Sequence, residues 1–127
     1  MPLYTITTSK DVLSSDAKSA LAMEITNFHS EMAGVNKTLV KIVFSTFSYG
    51  DAFVGGNAAP AAILTVLIRA GRSADYKRAM ASQLWTILHN ATGARDTAML
   101  VIIQEAPPSQ VMEMGQIMSD LVTGGGS

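Results

Sequence analysis

Residues 14–44 read SSDAKSALAMEITNFHSEMAGVNKTLVKIVF, and a related stretch follows 59 positions later at residues 73–103, SADYKRAMASQLWTILHNATGARDTAMLVII. Seven of the 31 aligned positions are identical: Ser14, Asp16, Lys18, Ala20, Ala22, Gly34 and Thr38 fall on Ser73, Asp75, Lys77, Ala79, Ala81, Gly93 and Thr97. The identities include the residues that start and stop helices. A serine hydroxyl accepts from an unpaired N–H of the first helical turn, and glycine ends a helix in the left-handed conformation. The first copy predicts a helix opened by Ser14 or Ser15 and closed by Gly34. Its apolar face is Leu21, Ile25, Phe28 and Met32, at steps of four, three and four. The second predicts a helix from Ser73 to Gly93 with Met80, Leu84, Ile87, Leu88 and Ala91 on its apolar face.

Each predicted helix is flanked by two β-type runs. These are Leu3–Thr8 (LYTITT) and Leu39–Phe47 (LVKIVFSTF), then Ala62–Ile68 (AILTVLI) and Ala98–Gln104 (AMLVIIQ). Between the halves, Ser48–Pro60 carries three glycines and a proline and reads as a loop, with a short hairpin around Ala52–Val54. Pro107-Pro108 breaks the chain, a short helix is expected over Ser109–Met118, and the tail TGGGS is expected to be disordered. A strand–helix–strand crossover makes its two strands parallel, with a right-handed connection. The fold class is therefore α/β (α+β): a tandem β-α-β repeat with a four-stranded, mostly parallel sheet and two long helices on one face. One domain over residues 1–127 is expected, with pseudo-repeats at about 2–50 and 61–106 and a tail at 107–127. The other sheet face would be bare. In a chain 48% hydrophobic, such a face is expected to be covered by oligomerisation.

Composition narrows the function. Nine Lys+Arg against ten Asp+Glu leave a formal charge of −1, which argues against a nucleic-acid partner. No apolar run approaches the ~20 residues of a membrane span, and MPLYTITTSK lacks the layout of a signal peptide. No membrane partner and a cytoplasmic location are expected. The absence of cysteine removes disulfides, thiolate metal sites and cysteine nucleophiles. Only His29 and His89 remain as imidazole ligands, with no carboxylate cluster around them, so no metal is expected.

Five residues could carry chemistry. Loss of Met1 would leave Pro2 with a secondary amine at the head of the first strand. Burial or nearby arginines would lower its pKa and make it a general base; the plain alternative is a proline there by chance. Arg69 and Arg72 flank Ala70-Gly71 just before the helix opened by Ser73. Cations at the positive end of a helix are unfavourable unless an anion is expected, and guanidinium forks with free N–H groups suit a carboxylate. The alternative is a pair of solvated loop arginines, one paired with Asp75. A lone His29 beside Phe28 reads most simply as a surface or satisfied boundary residue, and His89 as surface. Glu113 reads most simply as the solvated face of a short amphipathic helix.

Strand–helix–strand twice, with proline directly after Met1, resembles the tautomerase superfamily, and within it the cis-3-chloroacrylic acid dehalogenase-like group. The likeness is carried by GRSADYK (Gly71–Lys77), by ITNFHS ending the first helix, by FVGG (Phe53–Gly56) and by EAPPSQVMEMG (Glu105–Gly115). It spans Pro2 to about Met114. The resemblance implies a catalytic amine at Pro2, a substrate-carboxylate clamp at Arg69 and Arg72, a histidine on the carboxylate or enol oxygen at His29, and a water-activating glutamate at Glu113. It also implies a homotrimer, a small-molecule carboxylate substrate and no cofactor.

One position departs from the pattern. The dehalogenases carry a tyrosine eleven residues before the glutamate, where this chain has Ile102, which can neither donate nor accept a proton. Tyr4, Tyr49 and Tyr76 are the available phenols, and the sequence selects none of them. Keto–enol tautomerisation of a 2-oxo or 2-hydroxy-unsaturated acid needs a base and a carboxylate clamp but no activated water, so it survives the change. Two alternatives stand beside it: hydrolytic dehalogenation or hydration of a cis-3-haloacrylate, with Pro2 as acid and Glu113 activating water, and a non-catalytic trimeric binding protein.

Overall fold

The computed structural model describes residues 1–120; the tail TGGGS lies outside the described residues. Strand β1 (Leu3–Ser9) leads into helix α1 (Ser15–Ala33), which returns the chain to strand β2 (Lys41–Phe47). A small hairpin of β3 (Phe53–Val54) and β4 (Asn57–Ala58) crosses to the second half, near where the sequence predicts one. There β5 (Ala62–Arg69), α2 (Ala74–Thr92) and β6 (Met99–Ala106) repeat the order. The sheet runs β2-β1-β5-β6. The pairs β1–β2 and β5–β6 are parallel, while β1 and β5 meet antiparallel, with Leu3 opposite Leu67 and Ile6 opposite Leu64.

The repeat is physical. Ser14 and Ser73 each accept from the N–H three residues on, at 3.1 Å in both helices. Gly34 and Gly93 close the helices at φ +70° and +64°, where a side chain would be strained. Each second strand starts later than the sequence suggests, because Lys37–Leu39 and Asp96–Ala98 wind into single 3₁₀ turns. Those turns are themselves 59 positions apart.

Both helices cover one face of the sheet. Tyr4, Ile6, Leu64, Val66 and Ile68 point into the core, where they meet Leu21 and Ile25 of α1 and Met80, Leu84 and Leu88 of α2. The alternate residues form the open face, on which Leu3, Val43, Leu100 and Ile102 are exposed. No helix among the described residues is long and apolar enough to cross a membrane.

The expected helix over Ser109–Met118 is not formed. Pro108–Gln110 makes one 3₁₀ turn, and β7 (Met112–Glu113) and β8 (Gln116–Ile117) then pair as a hairpin. Its two turn residues, Met114 and Gly115, both have positive φ, +53° and +75°. That is the twist a two-residue hairpin needs. MEMGQI is thus a turn signal read as helix.

Candidate active site

The topology gathers the candidate residues at one end of the sheet. Strand β1 begins there, directly after Pro2. Strand β5 runs the opposite way, so Arg69 ends there, two positions past the Leu3–Leu67 pair. Helix α1 doubles back over β1, which brings its C-terminal half and His29 to the head of that strand. Helix α2 starts there after Arg72, and the β7–β8 hairpin carries Glu113 to Met1.

His29 is fully buried, not the surface or boundary residue that a lone histidine suggests. The Tyr4 hydroxyl lies 2.7 Å from its Nδ1, with the two rings edge to face. Burial, then the nearby N-terminal ammonium and Arg72, hold the imidazole pKa down to about 4. Burial, with Tyr76 nearby, raises the Tyr4 phenol. A protonated phenol facing a neutral imidazole donates to Nδ1, so the network assigns the ring proton to Nε2. That Nε2–H is buried and meets no hydrogen-bond acceptor among the described residues.

Met1 is itself nearly buried and lies over a fully buried Pro2. Its ammonium is bound to the Glu113 carboxylate, which Lys41 Nζ also approaches at 3.6 Å. Glu113 is therefore drawn to the chain start and is not on a solvated helix face. Around it lies a cleft of about 520 Å³ walled by Met1, Pro2, Leu39, Lys41 and the hairpin residues Met112–Met114. His29, Arg69 and Arg72 are not among the residues that line this cleft.

Arg69 and Arg72 are both half-buried. Arg69 follows inward Ile68 and so takes the open-face parity of β5. Arg72 lies beyond the strand and folds its guanidinium over the Tyr76 ring at 4.7 Å. It does not pair with Asp75 among the ion pairs described; the acid that braces this loop is Glu105. Glu105 binds Lys77 Nζ at 2.7 Å and accepts from the Gly71 N–H at 3.3 Å, and these bonds, Lys77 first, depress its pKa.

Ile102 lies mid-strand on the open face of β6. Tyr49 is exposed in the loop after β2, at the opposite end of the sheet. His89 is exposed, as expected, with its Nδ1 3.0 Å from the Ala94 carbonyl oxygen. A larger cleft of about 660 Å³ also lies at that opposite end, but Arg95 is the only charged residue among its lining. Among the described residues no group of three or more His, Asp or Glu is placed to hold a metal ion.

Sequence reasoning does not select two further candidates, Tyr4 and Tyr76, which reach the site end. A signal for His29 was nonetheless present. Under the 59-residue shift the buried triad Leu21, Ile25 and His29 falls on Met80, Leu84 and Leu88. His29 thus stands where the second repeat has a leucine. A polar side chain placed in a core position asks for a reason.

A family model described as "Putative oxalocrotonate tautomerase enzyme" matches residues 1–122. No curated protein matches the chain significantly. Among solved structures, native Ps01740 is 32% identical, with 87% of this chain and 99% of that one covered at a TM-score of 0.83. N1, a member of the cis-3-chloroacrylic acid dehalogenase family, is 22% identical, with 91% and 82% covered at 0.83. The F6 fused 4-OT asymmetric trimer is 20% identical, with 95% and 99% covered at 0.85. The last two likenesses bear on the fold alone. The match over nearly the whole chain places this protein in the oxalocrotonate tautomerase-type family, within the tautomerase superfamily.

Proposed function

We propose that this protein is a cofactor-independent tautomerase that uses an N-terminal proline as general base on small 2-oxo or 2-hydroxy-unsaturated carboxylic acids. The observation that carries the reading is the neutral, buried His29, whose unpartnered Nε2–H shares the electrostatic neighbourhood of Arg72 and the N-terminus. Removal of Met1 frees the Pro2 amine and vacates the space above it. Arg69 and Arg72 then hold the substrate carboxylate, and His29 donates to it or to the enol oxygen. The Pro2 amine takes the enol proton and returns it to carbon.

The second reading is hydration or hydrolytic dehalogenation of a cis-3-haloacrylate. The observation in its favour is Glu113, whose carboxylate reaches the chain start and could activate water there. In that case Pro2 acts protonated, as an acid. Retention of Met1 would block the amine and favour the third reading, a trimeric binding protein without turnover. The open apolar sheet face supports a homotrimer, the assembly of the fused 4-OT structures. The reading as a small-molecule enzyme goes with a cytoplasmic location.

The test is the ultraviolet decay of an aryl enolpyruvate and of 2-hydroxymuconate, with wild type and Pro2→Ala side by side. A general base contributes about 10²–10⁴-fold, and a loss in that range is expected. No rate above buffer, or a rate indifferent to Pro2, overturns the tautomerase reading. Halide release from cis-3-haloacrylates then tests the second.

A further inference from the structure

Four buried side-chain polar atoms among the described residues have no hydrogen-bond partner: Ser9 Oγ, Asn27 Oδ1, His29 Nε2 and Tyr76 Oη. Such an atom costs about 1–3 kcal/mol in a folded protein unless something else satisfies it. Ser9 lies at the far end of β1 from Pro2. Asn27, two residues from His29, faces another side of α1. The other two belong to elements that meet at the Pro2 end. Arg72 is a neighbour common to His29 and Tyr76: its guanidinium rests 4.7 Å from the centre of the Tyr76 ring, and its charge also acts on the His29 imidazole.

We propose that Tyr76 is a catalytic residue: its phenol and the His29 Nε2–H together form a two-donor clamp for the oxygen on the substrate carbon next to the carboxylate. This rests on the tautomerase reading and narrows it to acids that carry a 2-oxo or 2-hydroxy oxygen. The local geometry explains the division of labour. Tyr76 follows Arg72 by four residues, and its N–H donates to the Ser73 Oγ, so the cap, the arginine and the phenol form one rigid turn. The ring orients the guanidinium for the carboxylate while the hydroxyl remains available for the adjacent oxygen. Burial, the larger influence, raises the Tyr76 phenol and Arg72 lowers it; burial also raises Tyr4. Arg72 acts on both His29 and Tyr76, and Tyr76 acts on Tyr4, the hydrogen-bond partner of His29. Two neutral donors stabilise a developing enolate without surrendering a proton. Pro2 moves the proton, and Tyr76 and His29 keep theirs.

Tyr76→Phe keeps the ring under Arg72 and removes only the hydroxyl. The readout is calorimetric binding of a 2-oxo acid and of the same acid without the 2-oxygen, to wild type and variant, together with kcat and KM for the enol substrate. The proposal expects about tenfold weaker binding of the 2-oxo acid, unchanged binding of the deoxygenated acid, and for the enol substrate a kcat lower by about a hundredfold with a rise in KM of no more than about tenfold. Equal weakening for both acids would assign Tyr76 to positioning Arg72 alone and overturn the proposal. No change in either would overturn it as well. Pro2→Ala, run in parallel, separates the two levels. Lost turnover in Pro2→Ala with an unaffected Tyr76→Phe refutes the clamp and keeps the tautomerase reading. Absent turnover in wild type refutes that reading, while the pair of binding constants still decides whether the clamp exists.

Discussion

The Tyr4 hydroxyl and the His29 Nδ1 meet at 2.7 Å inside the protomer, where neither side chain is exposed. Removing one partner strands the other in a dry core. Tyr4→Phe and His29→Leu should each destabilise by about 1–3 kcal/mol, whereas the double variant should return to within about 1 kcal/mol of wild type. Urea midpoints of the four proteins measure this coupling. Additive losses would show that the hydrogen bond contributes nothing.

The same histidine gives stability a pH dependence of known sign. Its pKa is about 4 in the fold against an ordinary 6.5, so the unfolded chain binds more protons between those values. The His29 contribution is complete above about pH 6.5 and is lost as pH falls toward 4, a swing of roughly 3 kcal/mol at most. Denaturation midpoints from pH 4 to 8 should show this slope in wild type. The Tyr4→Phe/His29→Leu variant should be flatter.

The two serine caps are geometrically equivalent but not functionally so. Ser14→Ala and Ser73→Ala should each lower stability by about 1 kcal/mol. Only Ser73 holds the turn that carries Arg72 and Tyr76. Ketonisation should therefore fall in Ser73→Ala and persist in Ser14→Ala, measured where both variants are fully folded.

Met1 holds Glu113 and covers Pro2, so a chain that retains Met1 should lack proline-dependent turnover. Intact mass identifies the processed form by the loss of one methionine residue. Activity that tracks the unprocessed fraction would exclude the Pro2 amine as the base.

On the open face, Leu100 is 54% exposed in the protomer. Leu100→Lys should shift sedimentation from trimer to monomer with the circular dichroism of the helices retained. An unchanged oligomer would show that this face is not the interface.

Much of the fold was legible in the chain, because helix caps and apolar periods are local. Ser14, Gly34, Ser73 and Gly93 mark their helix ends by their own hydrogen bonding and backbone freedom, and the 59-residue shift carries that information twice. The hairpin at Met114-Gly115 is not legible in the chain because a single Met-Gly turn is a weaker local signal than the amphipathic pattern around it. Pro2, Arg69 and Arg72 could be singled out from their positions in the chain. The surroundings of His29 could not. Its burial, its tautomer and its pairing with Tyr4 arise only when α1 folds back over β1. Tyr76 likewise acquires meaning through where α2 begins in space. Sequence sets the repeating local geometry. Packing decides which polar atoms lose water, and the unpartnered ones, His29 Nε2 and Tyr76 Oη, are where the chemistry is proposed.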